Sequence, residues 1–480
     1  MENISTLKKK TRTAVYWEIF NKFSNQGLAF IFSIILARIL SPSDYGIVAL
    51  PLIFFALAQC FIDCGFSAAL IRKPQVTESD LSTAFYFNLI VGFICYLSLF
   101  CFSPFIAEFY NTPILCNILK VSALSMVFTP LQSVHYAILS RNLNYKTPAL
   151  ISLVNCIVSG IFGIILAYSG FGVWALVFQS LVGSVVNVVM LWSLSKWRPS
   201  LVWSKESFSY LFGFGGKMLA SGLIDVIHDN LCSVAIGKFY SVRDLGLYNR
   251  SQGYAQLPSK QIMGVMDGIS FPVLSKLQED ETQLSEAFIR LLKLVFFIIC
   301  PVMLCLSALA YPLVVFMITD KWAECVPLLQ VLCFAIILWP IHTLNFSLLK
   351  VLGRSDLLLK LNVGIKILGF IIMAFTIPNG ILAIGYGGIV HAILVSLWIT
   401  YYMEHVSSLT MMSQIRAILP CLALSGSMYV FILIVTSFVD SMLMKLLLGT
   451  FLGFVYYMLM AYLFKFPQLK DLKFMLRKDK

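Results

Sequence analysis

Residues 222–233 read GLIDVIHDNLCS. Asp225, His228, Asp229 and Asn230 crowd into this stretch of a chain that is 59% hydrophobic and only 12% charged. At helical spacing, Lys217, Ser221, Asp225, His228, Asp229 and Cys232 form one polar stripe. A stripe of this kind cannot face lipid, so it faces a cavity or a partner helix. Intramembrane carboxylates and imidazoles serve proton relays or cation sites, which makes Asp225, His228 and Asp229 candidates for coupling or gating. The competing reading is a satisfied network, in which Asp225 or Asp229 neutralises Arg250 or Lys260 on the next helix. Arg250 is the only arginine well inside an expected span, and Lys260 follows ten residues later, within a turn of the same face. Lys217 and Lys22 are the cations that could face them. Glu18 lies four residues before Lys22, the spacing of a helical ion pair, and joins the coupling or gating set.

The elements that must hold these residues are membrane helices. The mean hydropathy is +0.87, and apolar runs of the roughly 20 residues needed to cross a bilayer recur along the whole chain. They predict an all-α integral membrane protein of about fourteen transmembrane helices, at 14–37, 45–62, 82–106, 114–139, 148–168, 172–194, 211–237, 245–271, 288–318, 325–349, 357–376, 380–403, 415–437 and 442–464. The first is too long for a signal-peptide core and reads as an uncleaved helix. The formal charge of +12 invites a nucleic-acid partner, but its distribution argues against one. With the N-terminus in the cytoplasm, the termini and even-numbered loops, with the span ends adjoining them, carry 24 of the 35 Lys and Arg, and the odd-numbered loops with theirs five. That is the positive-inside pattern of a multi-pass membrane protein with both ends in the cytoplasm. The tail LKDLKFMLRKDK is expected against anionic inner-leaflet lipid, and SKESFSYLF, near 204–212, as an amphipathic stretch on the same leaflet. The twelve cysteines show no CxxC and no Cys/His cluster, so no metal site is expected. No outer loop is long enough for a catalytic domain, and the chain does not read as an enzyme.

A repeat organises the helices. ARILSPSDYG at 37–46 matches GKFYSVRDLG at 237–246, pairing Arg38 with Lys238, Ser41 with Ser241, Asp44 with Asp244 and Gly46 with Gly246. Ser-x-x-Asp is a capping-box start for a helix, and Pro42 takes the favoured first position. At the same offset Trp17, Asn21 and Asn25 lie opposite Lys217, Ser221 and Asp225. GFGVWALV (170–177) and GYGGIVHA (385–392) form a later pair, each opening a helix. The organisation predicted is two pseudo-symmetric six-helix lobes, 1–200 and 201–405, followed by 406–480 with two extra helices and the basic tail. Two parallel repeats with polar helices are the layout of an alternating-access carrier.

The segments ARILSPSDYGIVAL, CFIDCGFSAALIRK, LSRNLNYKTPAL, GFGVWALV, YAQLP and VMDGISFPVLSKLQED resemble, as an ordered set over residues 10–400, the polysaccharide flippases of the multidrug/oligosaccharidyl-lipid/polysaccharide exporter superfamily. The chain looks closer to exporters of colanic-acid-like or teichuronic-acid-like polymers than to multidrug exporters. The resemblance implies a V of two lobes around a central cavity lined by helices one, two, seven and eight. It implies a substrate, undecaprenyl-pyrophosphate-linked oligosaccharide, moved to the outer leaflet for O-antigen, capsule or exopolysaccharide synthesis. It also implies membrane lipids and polysaccharide polymerase machinery as partners. A pyrophosphate diester needs buried cations, and Arg250, Lys260, Lys217 and Lys22 are the candidates. The sugars need hydrogen-bonding groups, and Asn21, Asn25, Gln252 and Gln256 are available. Span two is almost wholly apolar while span eight is polar, which puts more of the binding on the second half. No cofactor is expected beyond a coupling ion, H⁺ or Na⁺. The alternatives are a multidrug/cation antiporter of the same superfamily and a membrane-embedded polysaccharide polymerase or glycosyltransferase.

Overall fold

A computed structural model describes residues 4–471, with the side chains of residues 4–16, 18–20, 22, 267 and 355 outside that description. The described residues hold helices and no strand. Counting segments broken by a turn as one, they are α1 (Ile4–Ile39), α2 (Pro42–Arg72), α3 (Glu78–Phe109), α4 (Ile114–Arg141), α5 (Lys146–Tyr168), α6 (Val173–Leu194) and α7 (Lys205–Phe239). There follow α8 (Val242–Ser275), α9 (Glu281–Ala308), α10 (Asp320–Val351), α11 (Ser355–Thr376), α12 (Ile381–Val406), α13 (Met411–Ser437) and α14 (Met442–Leu463), with a short helix, Ala310–Ile318, after α9. They form two compact units, one up to Gly246 and one from Leu247 on.

Twelve of these helices are long and apolar enough to cross a membrane, two fewer than the fourteen crossings expected. The two that fall short are helices all the same. Of α1 the continuously described side chains begin at Phe23, and Phe23–Ile39 is an apolar helix shorter than a full crossing, while α8 carries too many polar groups. The amphipathic stretch SKESFSYLF forms the capped start of α7, which runs unbroken from Lys205 to Phe239. Phe208 there packs edge-on to Phe66 and Leu211 is fully buried, while Tyr210 and Phe212 are exposed. In the later repeat pair, α6 opens inside its motif at Val173, whereas α12 has already started at Ile381, ahead of GYGGIVHA.

Within the first unit α1 lies on α5, α5 on α6, and α7 on α2 and α3. Within the second, α9 packs on α13 and α10, α10 on α12, and α13 on α14. The motif residues of the first unit have structural work. Arg141 donates to the carbonyls of Leu70 and Pro74, which closes the C-terminal end of α2. Lys73 Nζ lies 2.7 Å from both carboxylate oxygens of Asp80, and Asp80 is fully buried. The backbone N–H and hydroxyl of Thr77 each donate to the same carboxylate at 2.9 Å, a capping box that starts α3.

Removing one partner of a buried pair strands the other charge. Lys73→Met is therefore expected to lower stability by about 3 kcal/mol, read as a drop in unfolding temperature of the purified protein. Adding Asp80→Leu should restore part of that loss, because the stranded charge is gone.

Candidate functional site

The 200-residue repeat is exact in its hydrogen bonds. Ser41 N–H and Oγ donate to Asp44 Oδ2 at 2.8 and 2.7 Å, and Asp44 N–H returns a bond to Ser41 Oγ at 3.3 Å. Ser241 and Asp244 make the same three bonds at 3.1, 2.7 and 3.1 Å. The two turns also touch reciprocally. A Cβ on Gly46 would lie 1.8 Å from the Val242 carbonyl oxygen, and one on Gly246 would lie 1.9 Å from that of Pro42. Each turn thus seats the carbonyl that follows its capping serine on the glycine of the other copy.

The polar stripe of α7 is on the open side of the first unit. Lys217, Ser221 and Asp229 are exposed, whereas Cys232, at the end of the stripe, is buried. Lys217 has no ion-pair or hydrogen-bond partner among the described residues. His228 Nδ1 lies 3.2 Å from Asp229 Oδ1, so two of the four coupling candidates are in contact. Asp225 is half-buried one turn after Gly222, which packs on Cys60 of α2. On α1, Asn21 and Asn25 are half-buried, and the Asn25 amide donates to Ser152 of α5. The expected Glu18–Lys22 pair lies outside the described side chains.

On α8 the Arg250 guanidinium carbon is 5.4 Å from the Tyr254 ring centre and 5.2 Å from that of Trp322, which is fully buried. Arg250 is therefore stacked on aromatic faces, a cation–π arrangement that holds the start of α8 to the turn that opens α10. Ser251 Oγ adds a 2.9 Å bond to the Cys325 carbonyl in that turn. Gln252, Gln256 and Lys260 follow at four-residue spacing, turned about 160°, 120° and 80° from Arg250 at 3.6 residues per turn. These three have no hydrogen-bond partner among the described residues, and Lys260 is exposed. Ten residues of helix separate Arg250 from Lys260 by about 15 Å along the axis.

A polar cavity that the sequence did not disclose lies in the first unit. It has a volume of about 390 Å³ and is lined by Gln59 and Asp63 of α2 and by Gln132, Ser133 and Tyr136 of α4, among others. The span expected at 45–62 ends before Asp63, but α2 continues to Arg72 across a break at Cys64 and Gly65. Both residues are left-handed, with φ of 44° and 70°. A Cβ on Gly215 of α7 would lie 2.1 Å from the Cys64 carbonyl oxygen, so α7 seats directly on this break. Asp63 accepts from Ser67 Oγ across it. The signal was present in the four-residue spacing of Gln59, Asp63 and Ser67.

A multi-pass, all-helical membrane protein with polar groups gathered on single helix faces is built as a transporter, and the comparisons agree. The fold matches that of a lipid II flippase, MurJ, in an inward closed conformation, with a TM-score of 0.74 at 17% identity over 94% of this chain and 98% of that one. An inward-facing multidrug resistance MATE transporter of the MOP superfamily gives a TM-score of 0.61 at 16% identity, over 79% of this chain and 95% of that one. The chain belongs to the polysaccharide biosynthesis protein family, whose model matches residues 35–327. It is 27% identical to the succinoglycan biosynthesis transport protein ExoT of Rhizobium meliloti, over 69% of this chain and 67% of that protein. It is 26% identical to the teichuronic acid biosynthesis protein TuaB of Bacillus subtilis, over 65% of each. It is 25% identical to the lipopolysaccharide biosynthesis protein WzxC of Escherichia coli, over 75% of this chain and 73% of that protein.

Proposed function

We propose that this transporter flips undecaprenyl-pyrophosphate-linked oligosaccharide from the cytoplasmic to the outer leaflet of the bacterial inner membrane, by alternating access, with both termini in the cytoplasm. The observation that carries this reading is the row Gln252, Gln256 and Lys260 on α8, polar groups that meet no protein partner among the described residues. Burying such groups unsatisfied in hydrocarbon costs several kcal/mol each, so they are kept to meet a polar cargo. Lys260 takes the pyrophosphate. Gln252 and Gln256 take hydroxyl groups next to it. Arg250 is a positioning residue that fixes α8 through Tyr254 and Trp322. Cells lacking the protein should accumulate the lipid-linked repeat unit on the cytoplasmic face. If that intermediate turns over normally, the reading fails.

His228 and Asp229 act on turnover. An inside-negative potential already favours outward movement of an anion, by about 2.3 kcal/mol per charge per 100 mV. The harder step is the return of an empty carrier with uncompensated cations. A carboxylate that takes up H⁺ or Na⁺, or that pairs with those cations, makes the return feasible. Asp229→Asn is expected to leave pyrophosphate binding unchanged, to slow transport several-fold and to flatten its response to an imposed ion gradient. Wild-type rate and gradient response in this variant would make Asp229 structural.

A further inference from the structure

The cavity between α2 and α4 has no part in the pyrophosphate and coupling roles, yet its lining is rich in polar groups. Eight of its ten lining residues carry a side-chain hydroxyl, amide or carboxylate. On α4, Gln132, Ser133, Tyr136 and Ser140 repeat at one-turn spacing and share a face. On α2, Gln59 and Asp63 stand on one side of the helix break and Ser67 on the other. These segments belong to helices that are apolar enough to cross a membrane. A row of such groups is not left to hydrocarbon.

The lining is held in place from behind. The Tyr136 hydroxyl donates to Asn187 Oδ1 of α6 at 2.9 Å, which fixes the ring at the wall. Asn88 of α3 is buried at 1% exposure. In the amide orientation that satisfies both its ends, it donates to the Ile62 carbonyl at 2.8 Å and accepts from Ser133 Oγ at 3.0 Å. It therefore ties the broken end of α2 to α4 through the back of the cavity. Gln132 is held only by a 3.4 Å contact from its amide to the Ser184 carbonyl.

The chemistry of the lining selects its ligand. No lysine or arginine lines the cavity, so it does not take phosphate. Its one carboxylate accepts from Ser67 and has acceptor capacity left. Around it stand neutral groups that both donate and accept, together with one aromatic ring. At about 390 Å³ it is in the size range of small-molecule pockets. We propose that this cavity is a saccharide subsite, which binds the hydroxyl groups of a sugar in the transported headgroup through Asp63, Gln132 and Tyr136. The inference rests on the flippase reading and deepens it. It assigns the sugar to the first unit, apart from the cation on α8 that takes the pyrophosphate.

The test uses the full chain in nanodiscs with two separate probes. The first is a panel of free hexoses, N-acetylhexosamines and disaccharides, read by saturation-transfer NMR. The second is farnesyl pyrophosphate, a prenyl pyrophosphate without sugar, read by calorimetry. At least one saccharide should bind the wild type. Asp63→Asn and Gln132→Ala should each weaken that binding about tenfold, as expected when about 1.4 kcal/mol of hydrogen bonding is lost. Both variants should keep wild-type affinity for farnesyl pyrophosphate, which also shows that they are folded. Lys260→Ala should behave in the opposite way. If no saccharide binds, or if binding survives in both cavity variants, the subsite is wrong. If Asp63→Asn instead abolishes only a Na⁺ dependence, the cavity is an ion site and the proposal is likewise overturned. If farnesyl pyrophosphate fails to bind the wild type, the failure lies in the flippase reading.

Discussion

Gly46→Ala and Gly246→Ala should each reduce transport by about tenfold or more and lower the unfolding temperature. The added Cβ would lie 1.8 Å from the Val242 carbonyl oxygen in the first case and 1.9 Å from that of Pro42 in the second. Neither neighbour is the flexible end of a side chain. Each is backbone in a turn already fixed by a capping box. The clash is relieved only if the two turns separate. Overpacking of this kind costs about 1–3 kcal/mol where side chains can adjust, and more where backbone must move. Gly253→Ala is the control, because nothing lies within 4 Å of its added methyl. It should be neutral, or slightly stabilising through helix propensity. Wild-type stability and transport in Gly46→Ala would mean that the two turns are not in contact in the working protein.

Lys260→Ala is the second large effect. Lys260 is exposed and pairs with nothing among the described residues, so its loss should leave the unfolding temperature unchanged. Transport should still fall about tenfold or more, because a phosphate charge loses a partner worth upwards of 1.4 kcal/mol in a poorly hydrated site. Lys260→Arg should retain most of the rate, since guanidinium binds phosphate oxygens in pairs. Lys260→Glu should abolish it. Arg250→Lys should behave differently. An ammonium does not replace a planar group between Tyr254 and Trp322, so a loss of stability should accompany any loss of rate. If Lys260→Ala transports normally, the cation on α8 is elsewhere.

The sequence made some features legible and concealed others for physical reasons. The capping boxes at Ser41 and Ser241 were readable because Ser-x-x-Asp specifies its own local geometry. The polar face of α8 was readable because charged groups stand out against apolar spans. The stacking of Arg250 was not readable because it depends on Trp322, a partner far along the chain that enters through a 3-10 turn. The cavity at Asp63 was hidden by the break in α2. A left-handed cysteine followed by glycine has no periodic signature, and non-glycine residues seldom adopt positive φ. The expected span stopped there, and Ser67 was assigned to a loop.

The central claim is best tested with the purified protein in liposomes and its own lipid-linked oligosaccharide placed in one leaflet. The headgroup reaching the opposite leaflet is then measured by a lectin or glycosidase that cannot cross the membrane. Wild-type protein should move the headgroup far faster than empty liposomes, and Lys260→Glu should be no faster than empty liposomes. Equal rates with and without the wild-type protein, in the presence of an imposed potential and ion gradient, would contradict the account.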